Sequence, residues 1–324
     1  MTFWENKNVL VTGGAGFIGS HLTEALYEKK ANVTIVGYKN VEKEVIQNLL
    51  TIRKKIKIIK ADLTKMASCI KATKGQDIVM NIAGVTGGIH YNNTHPGTLF
   101  RDNVLLNTNM LESARIENVE RFLVMSSACV YPRFVPIPTP ETEGFKDMPE
   151  PTNFGYGWSK RIAEIQAMCY AQEFGMKIGI ARPYNTYGPR DCFKPEKSHV
   201  IAALISKIFE ADKKLEVWGS GNQSRSFLYV KDCAEGLLKI VEKYPKPDPI
   251  NIGTDEEIKI KDLAELIIKL SGKPLKIMFD SSKPDGQPRR NCDITKSKEK
   301  LGFVSKTRLE EGLKETIDWY RKNI

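Results

Sequence analysis

The 324-residue sequence has no run of about 18 apolar residues, so no transmembrane helix is expected. It has no Cys-x-x-Cys pair. Its six cysteines (Cys69, Cys129, Cys169, Cys192, Cys233 and Cys292) stand apart, and no histidine cluster accompanies them. That spacing offers neither a disulfide framework nor a zinc site, so no metal is expected. Internal repeats and low-complexity segments are missing too. The N-terminus runs into a strand pattern without a charged-then-apolar leader, which argues against secretion. With the unpaired cysteines, this makes a reducing cytoplasm the expected location. The net charge is +10, from 49 Lys and Arg against 39 Asp and Glu. Basic residues are spread along the chain, and runs such as Arg53-Lys54-Lys55 are short. The reading is a lysine-rich surface suited to small polyanions, with no nucleic-acid and no membrane partner.

What is present is an alternation of short apolar runs and helical patterns. Strands are expected at 9–11, 33–36, 56–59, 78–82, 122–125 and 178–181, with helices between them, notably 19–29, 108–116 and 156–174. Such βαβ units imply an α/β fold, a Rossmann-type doubly wound parallel sheet with right-handed crossovers. After Arg182 the pattern loosens around Pro183, Gly188 and Pro189. Helices are expected at 199–210, 260–270 and 309–320, and strands returning to the sheet at 227–230 and 249–252. The expected division is a cofactor domain of residues 1–182 plus 226–252, and a smaller C-terminal α/β substrate lobe of 183–225 plus 253–324.

Thr12-Gly13-Gly14-Ala15-Gly16-Phe17-Ile18-Gly19 joins the first strand to the first helix. Side chains at Gly13, Gly16 and Gly19 would keep the backbone from a pyrophosphate, and the helix amino end offers unpaired N–H groups to the anion. Phe17 and Ile18 follow in the same turn. An acid ending the second strand would hydrogen-bond the ribose hydroxyls of NAD and repel the 2′-phosphate of NADP. Here that stretch reads Val36-Gly37-Tyr38-Lys39-Asn40, so Lys39 leans the reading toward NADP(H) over NAD(H). Asp62, followed by Leu63 at the end of the third strand, is expected at the adenine, with a helix cap as its plainer reading.

Tyr156 and Lys160 stand at i and i+4 on one helix face. The ammonium is expected to lower the phenol's pKa from about 10. With the cradle and Ser127 at a strand end, this resembles the extended short-chain dehydrogenase/reductase superfamily, whose catalytic trio Ser127, Tyr156 and Lys160 match. The resemblance also implies a homodimer through two long helices.

Ser127-Ala128-Cys129-Val130-Tyr131-Pro132 lacks the acid pair of sugar-nucleotide dehydratases. It resembles instead the GDP-L-fucose synthase and GDP-mannose 3,5-epimerase families, in which this cysteine is an acid/base. Gly87-Gly88-Ile89, Ser198-His199-Val200-Ile201, Val217-Trp218-Gly219-Ser220-Gly221 and Ser282-Lys283-Pro284-Asp285-Gly286-Gln287-Pro288-Arg289 resemble the synthases more closely. The resemblance implies a GDP-linked sugar substrate and places His199 as second acid/base. It also implies Arg225 on the diphosphate, Asn185 at the lobe junction, Trp218 at the nucleotide, and Lys283 and Arg289 adding positive charge. Inverting a carbon beside a ketone needs a base on one face and an acid on the other, and thiol and imidazole titrate nearest neutrality. The alternatives open at this point are an epimerase or a 4-reductase alone, or a nucleotide-sensing regulator. For Cys129 a small buried hydrophobe also remains open, and for His199 a helix cap.

Overall fold

The computed structural model describes residues 2–87, 89–194, 198–280, 282 and 287–324. Five βα units and a sixth strand build its centre. The strands are β1 (Asn8–Thr12), β2 (Asn32–Gly37), β3 (Lys57–Lys60), β4 (Ile78–Asn81), β5 (Arg121–Met125) and β6 (Ile178–Pro183). Between them lie α1 (Phe17–Glu28), α2 (Val41–Asn48), α3 (Met66–Thr73), α4 (Ile89–Thr94), α5 (Pro96–Ile116) and α6 (Phe154–Phe174). α5 starts well before the expected position 108, because Pro96 at its first turn suits a helix start, where its missing N–H costs nothing.

The rest comprises β7 (Thr186–Tyr187), α7 (Val200–Glu210), β8 (Lys214–Trp218), β9 (Ser224–Ser226), β10 (Leu228–Tyr229), α8 (Val230–Lys243) and β11 (Ile250–Ile252). It ends with β12 (Glu257–Lys259), α9 (Ile260–Ser271), β13 (Lys276–Asp280), β14 (Arg289–Arg290), α10 (Thr295–Leu301) and α11 (Leu309–Asn323). Among the described residues, no helix is long and apolar enough to cross a membrane.

The main sheet is parallel, in the order β11-β6-β5-β4-β1-β2-β3. Its strands read as nearly continuous apolar runs because both faces are covered. Val9, Val11, Leu22, Ile35, Leu237 and Val241 form one core. Leu10, Val79, Met110, Phe122, Ala163 and Ile180 form the core on the opposite face. A third core, including Ile205, Leu263, Leu313 and Ile317, belongs to the later helices. Strand order reverses between β1 and β4, and such a switch point opens a crevice at the carboxyl edge.

One expected strand departs from this. Residues 227–230 do not return to the main sheet: β10 pairs with β7 in a separate parallel ribbon, and Val230 already opens α8. An apolar run of four residues cannot by itself say which sheet it joins.

Beneath the sheet's carboxyl edge lies a buried ion pair. Arg182 donates to Glu164 at 2.8 and 2.6 Å, and the two side chains are 1% and 0% exposed. Glu164 also accepts from the Ser126 hydroxyl, while Arg182 donates to the Tyr131 hydroxyl at 3.0 Å and to Glu141 O at 2.7 Å. The pair thus ties α6 to the ends of β5 and β6. Glu164→Ala strands the guanidinium without its counter-charge and is expected to cost about 3–5 kcal/mol of unfolding free energy. Urea denaturation checks this, and a loss under about 1 kcal/mol, the level of an exposed pair, would contradict it.

Candidate active site

The crevice is a cleft of about 1870 Å³ running from the glycine turn to Trp218 and Arg290. One drug-sized ligand needs roughly 300–1,000 Å³, so the cleft has room for two ligands.

At one end, the missing Cβ at Gly19 shapes the turn. A Cβ there would lie 2.1 Å from Gly13 O, so only glycine lets α1 pack onto the loop. Gly13, Gly16, Gly19, Phe17 and Ile18 all line the cleft beside the amino end of α1. Leu63 and Asp62 line the same end. Asp62 accepts from the Thr64 N–H and hydroxyl at 3.1 and 2.7 Å, which holds its carboxyl below the usual range. It closes a turn and is not the α3 cap, which falls at Lys65. Lys39 does not line the cleft; its ammonium lies 5.4 Å from the Tyr38 ring centroid.

An asparagine ladder braces the cleft floor after β4, a feature invisible to motif reading because its members are far apart. Thr12 donates to Asn81 at 2.9 Å, and Asn81 to Asn107 at 3.0 Å. Asn107 donates to Asn103 O at 2.7 Å, and Asn103 bonds both the N–H and the carbonyl of Val85.

In the middle, a 3₁₀ turn over Ala128–Val130 follows β5. The Ser127 hydroxyl accepts from Cys129 N at 3.1 Å, fixing the turn so that both residues line the cleft. α6 approaches closely because position 157 is glycine: a Cβ there would lie 2.5 Å from Cys129 O. This contact sets Tyr156 beside Cys129. Half-buried Cys129 is close enough that its thiolate charge would raise the pKa of both Tyr156 and Lys160.

Lys160 is 2% exposed and donates to Met125 O at 2.8 Å. Burial brings its ammonium down to about 8, opposed by the Cys129 and Glu164 charges. The expected lowering of the phenol does not occur. Burial pushes Tyr156 well up, against a hydrogen bond from Ser127. Desolvation and the Cys129 charge outweigh the Ser127 hydrogen bond, and Tyr156 rests as a neutral proton donor.

His199 stands at the N-cap position of α7 with no side-chain capping bond, and it lines the cleft. Its Nδ1 lies 4.0 Å from Asp191 Oδ1, and its side chain is 60% exposed. The Asp191 carboxylate beside it raises the imidazole pKa, favouring the protonated, proton-donating form. Sequence reading misses Asp191, eight residues upstream in an irregular loop with no periodicity to mark it.

At the far end, Asn185 lines the cleft and donates to Ser226 O at 2.9 Å. Trp218 lines it too and is 56% exposed, a flat surface suited to stacking. Arg225 on β9 and Arg290 on β14 are register partners, and both line the cleft. Burial, then the Arg290 charge, brings Arg225 down to about 10. Two guanidinium groups side by side suit a diphosphate. Arg289 is a correction: strand alternation turns it outward, where it forms a bidentate pair with Glu257 at 2.8 Å, and Arg290 takes the cleft position. Gly88 and residues 283–286, Lys283 included, lie outside the described residues. Among the described residues no group of His, Cys, Asp and Glu could hold a metal ion.

Residues 9–253 match the NAD dependent epimerase/dehydratase family. The chain is 34% identical to GDP-L-fucose synthase 1 of Arabidopsis thaliana, covering 99% of this chain and 95% of that one. It is 32% identical to GDP-mannose 3,5-epimerase of the same plant, over 99% and 84%. Its fold superposes on a GDP-L-fucose synthetase from Naegleria fowleri bound to NADP with a TM-score of 0.85, at 26% identity over 100% and 95% of the two chains. The glycine turn, the strand-end serine and the helix-borne Tyr156 and Lys160 are thus set in a chain that belongs to the NAD dependent epimerase/dehydratase family.

Proposed function

We propose that this enzyme epimerises a GDP-4-keto-6-deoxy-hexose at C3 and C5 and then reduces its C4 ketone. One observation carries the reading: Cys129 and His199 line the same cleft as Tyr156 and Lys160. The C4 ketone acidifies the hydrogens on C3 and C5. Cys129 takes a proton from one face of the ring, and His199, held as donor by Asp191, returns one to the other. Ser127 and Tyr156 hydrogen-bond the C4 oxygen while it carries negative charge. In the second stage Tyr156 protonates that oxygen, and Lys160 holds the nicotinamide ribose. A bound nicotinamide dinucleotide supplies the hydride. The cradle at Gly19 and the α1 amino end fit its pyrophosphate.

Arg225 and Arg290 grip the GDP diphosphate, and Trp218 stacks on the base. Arg290→Ala is expected to weaken GDP binding roughly 10- to 100-fold, the worth of a charge-assisted hydrogen bond. Arg289→Ala is expected to change it less than about twofold, as for an exposed ion pair. Calorimetry with GDP compares them, and equal losses would reject the Arg290 assignment.

We read residues 1–182 plus 226–252 as the cofactor unit, since α8 packs on α1 and β11 completes the sheet. Residues 183–225 plus 253–324 form the substrate unit. Phe100, Leu105, Phe154 and Ile165 leave apolar side chains exposed on the adjoining helices α5 and α6, which supports a homodimer; six free cysteines support a reducing cytoplasm. A monomeric mass by light scattering at micromolar concentration would refute the dimer.

The second reading, epimerisation without net reduction, rests on the similarity to the plant 3,5-epimerase. Incubation with GDP-4-keto-6-deoxymannose and reduced dinucleotide in heavy water separates the two. The proposal expects solvent deuterium in the sugar and one dinucleotide oxidised per product. Deuterium without oxidation supports the epimerase, and oxidation without deuterium a pure reductase.

A further inference from the structure

The end of β2 carries no acid, and Lys39, the basis for leaning toward NADP(H), does not line the cleft. An acid reaches the same groove from the next element. α2 runs alongside the nucleotide turn, and contacts at its two ends fix its rotation. Val41 packs against Gly37 at its start, where a Cβ on the glycine would lie 2.5 Å from the valine methyl. Asn48 at its end donates to Ala15 O in the glycine turn at 2.8 Å. Glu44 stands three residues after Val41 and four before Asn48, so all three share one helix face. Val41 and Asn48 pack inward on the end of β2 and the glycine turn, and Glu44 between them lines the cleft.

Glu44 accordingly lines the cleft with Gly37 and Tyr38. It is half-buried, and that burial alone raises its carboxyl pKa. No side chain or ion pairs with its carboxylate among the described residues. Of its charged neighbours, Glu42 faces Lys60 at 3.8 Å, and the Lys39 ammonium lies 5.4 Å from the Tyr38 ring centroid.

We infer that Glu44 reads the adenosine ribose of the dinucleotide, accepting hydrogen bonds from its hydroxyls and excluding a 2′-phosphate, so that this enzyme selects NAD(H) over NADP(H). The inference rests on the nicotinamide cofactor of the proposed reaction, and on no feature of the sugar. A carboxylate accepts from two adjacent hydroxyls without a donor of its own. A 2′-phosphate carries about −1.5 to −2 charge at neutral pH and would meet an unneutralised carboxylate partly withdrawn from water.

The test is dinucleotide binding by the full chain, stripped of nucleotide and followed by calorimetry, so that it needs no turnover. Wild type is expected to bind NAD⁺ at least about tenfold more tightly than NADP⁺, one charge-assisted hydrogen bond's worth. Glu44→Gln keeps shape and burial while removing the charge. It should shrink that ratio by at least about tenfold, chiefly by tightening NADP⁺. Lys39→Gln, at an exposed position, should leave the ratio within about twofold. Thermal melting confirms that each variant is folded. Wild type preferring NADP⁺, or a ratio untouched by Glu44→Gln, would overturn the inference. Binding of neither dinucleotide would overturn it together with the cofactor reading, whereas loss of sugar turnover with the ratio intact would strike only the proposed reaction.

Discussion

Cys129→Ser should suppress solvent exchange at C3 and C5 of the 4-keto sugar by about 10²–10⁴-fold, the usual contribution of a positioned acid/base. The serine hydroxyl fits the same 3₁₀ turn, and the Cys129 N–H bond to Ser127 is made by backbone, so folding and GDP affinity should be unchanged. A hydroxyl is too weak a base to replace a thiol near neutral pH. Hydride transfer to a sugar already epimerised should persist, because Tyr156, Lys160 and Ser127 are untouched. His199→Asn should give the same phenotype from the other face. Deuterium uptake followed by mass spectrometry measures both. Exchange within threefold of wild type in either variant would remove that residue from the mechanism.

Tyr156→Phe should produce the reciprocal defect. Its phenol is held protonated by burial and in the proposed reaction is the proton source for the C4 oxygen, so its loss should slow reduction by about 10²–10⁴-fold. Exchange should fall far less, because Ser127 still hydrogen-bonds that oxygen. Single-turnover oxidation of reduced dinucleotide, beside the exchange assay, separates the two stages. Equal losses in both assays would mean that Tyr156 serves the enolate as much as the reduction, and would break the assignment of separate roles. The upward pKa also sets the pH behaviour. The donor form lies below the phenol's pKa, so alkaline loss of reduction should not begin near neutrality on its account.

The parallel sheet was legible because its strands are apolar runs spaced by helical periods, and the glycine turn because its spacing is tied to one local geometry. Cys129, Tyr156 and Lys160 were legible as short motifs on single elements. What escaped reading depends on the third dimension. Arg289 and Arg290 are adjacent in sequence, and only the pairing of β14 with β9 decides which one enters the cleft. The Tyr156 pKa depended on burial by neighbours that a helical i, i+4 rule does not count. Asp191 meets His199 across a loop. No acid ends β2, and Glu44, which lines that end of the cleft, comes from the rotation of α2, which no motif marks. β10 was too short for its apolar run to reveal its partner.

The central claim is that one sugar ring sits between a thiol and an imidazole. A crystal structure with the GDP-linked sugar bound tests it most directly. The account predicts Cys129 Sγ and the His199 ring on opposite faces of the pyranose, each about 3–3.5 Å from a reacting atom. A ring seated with both groups on one face, or with the sulfur turned out of reach, would contradict it.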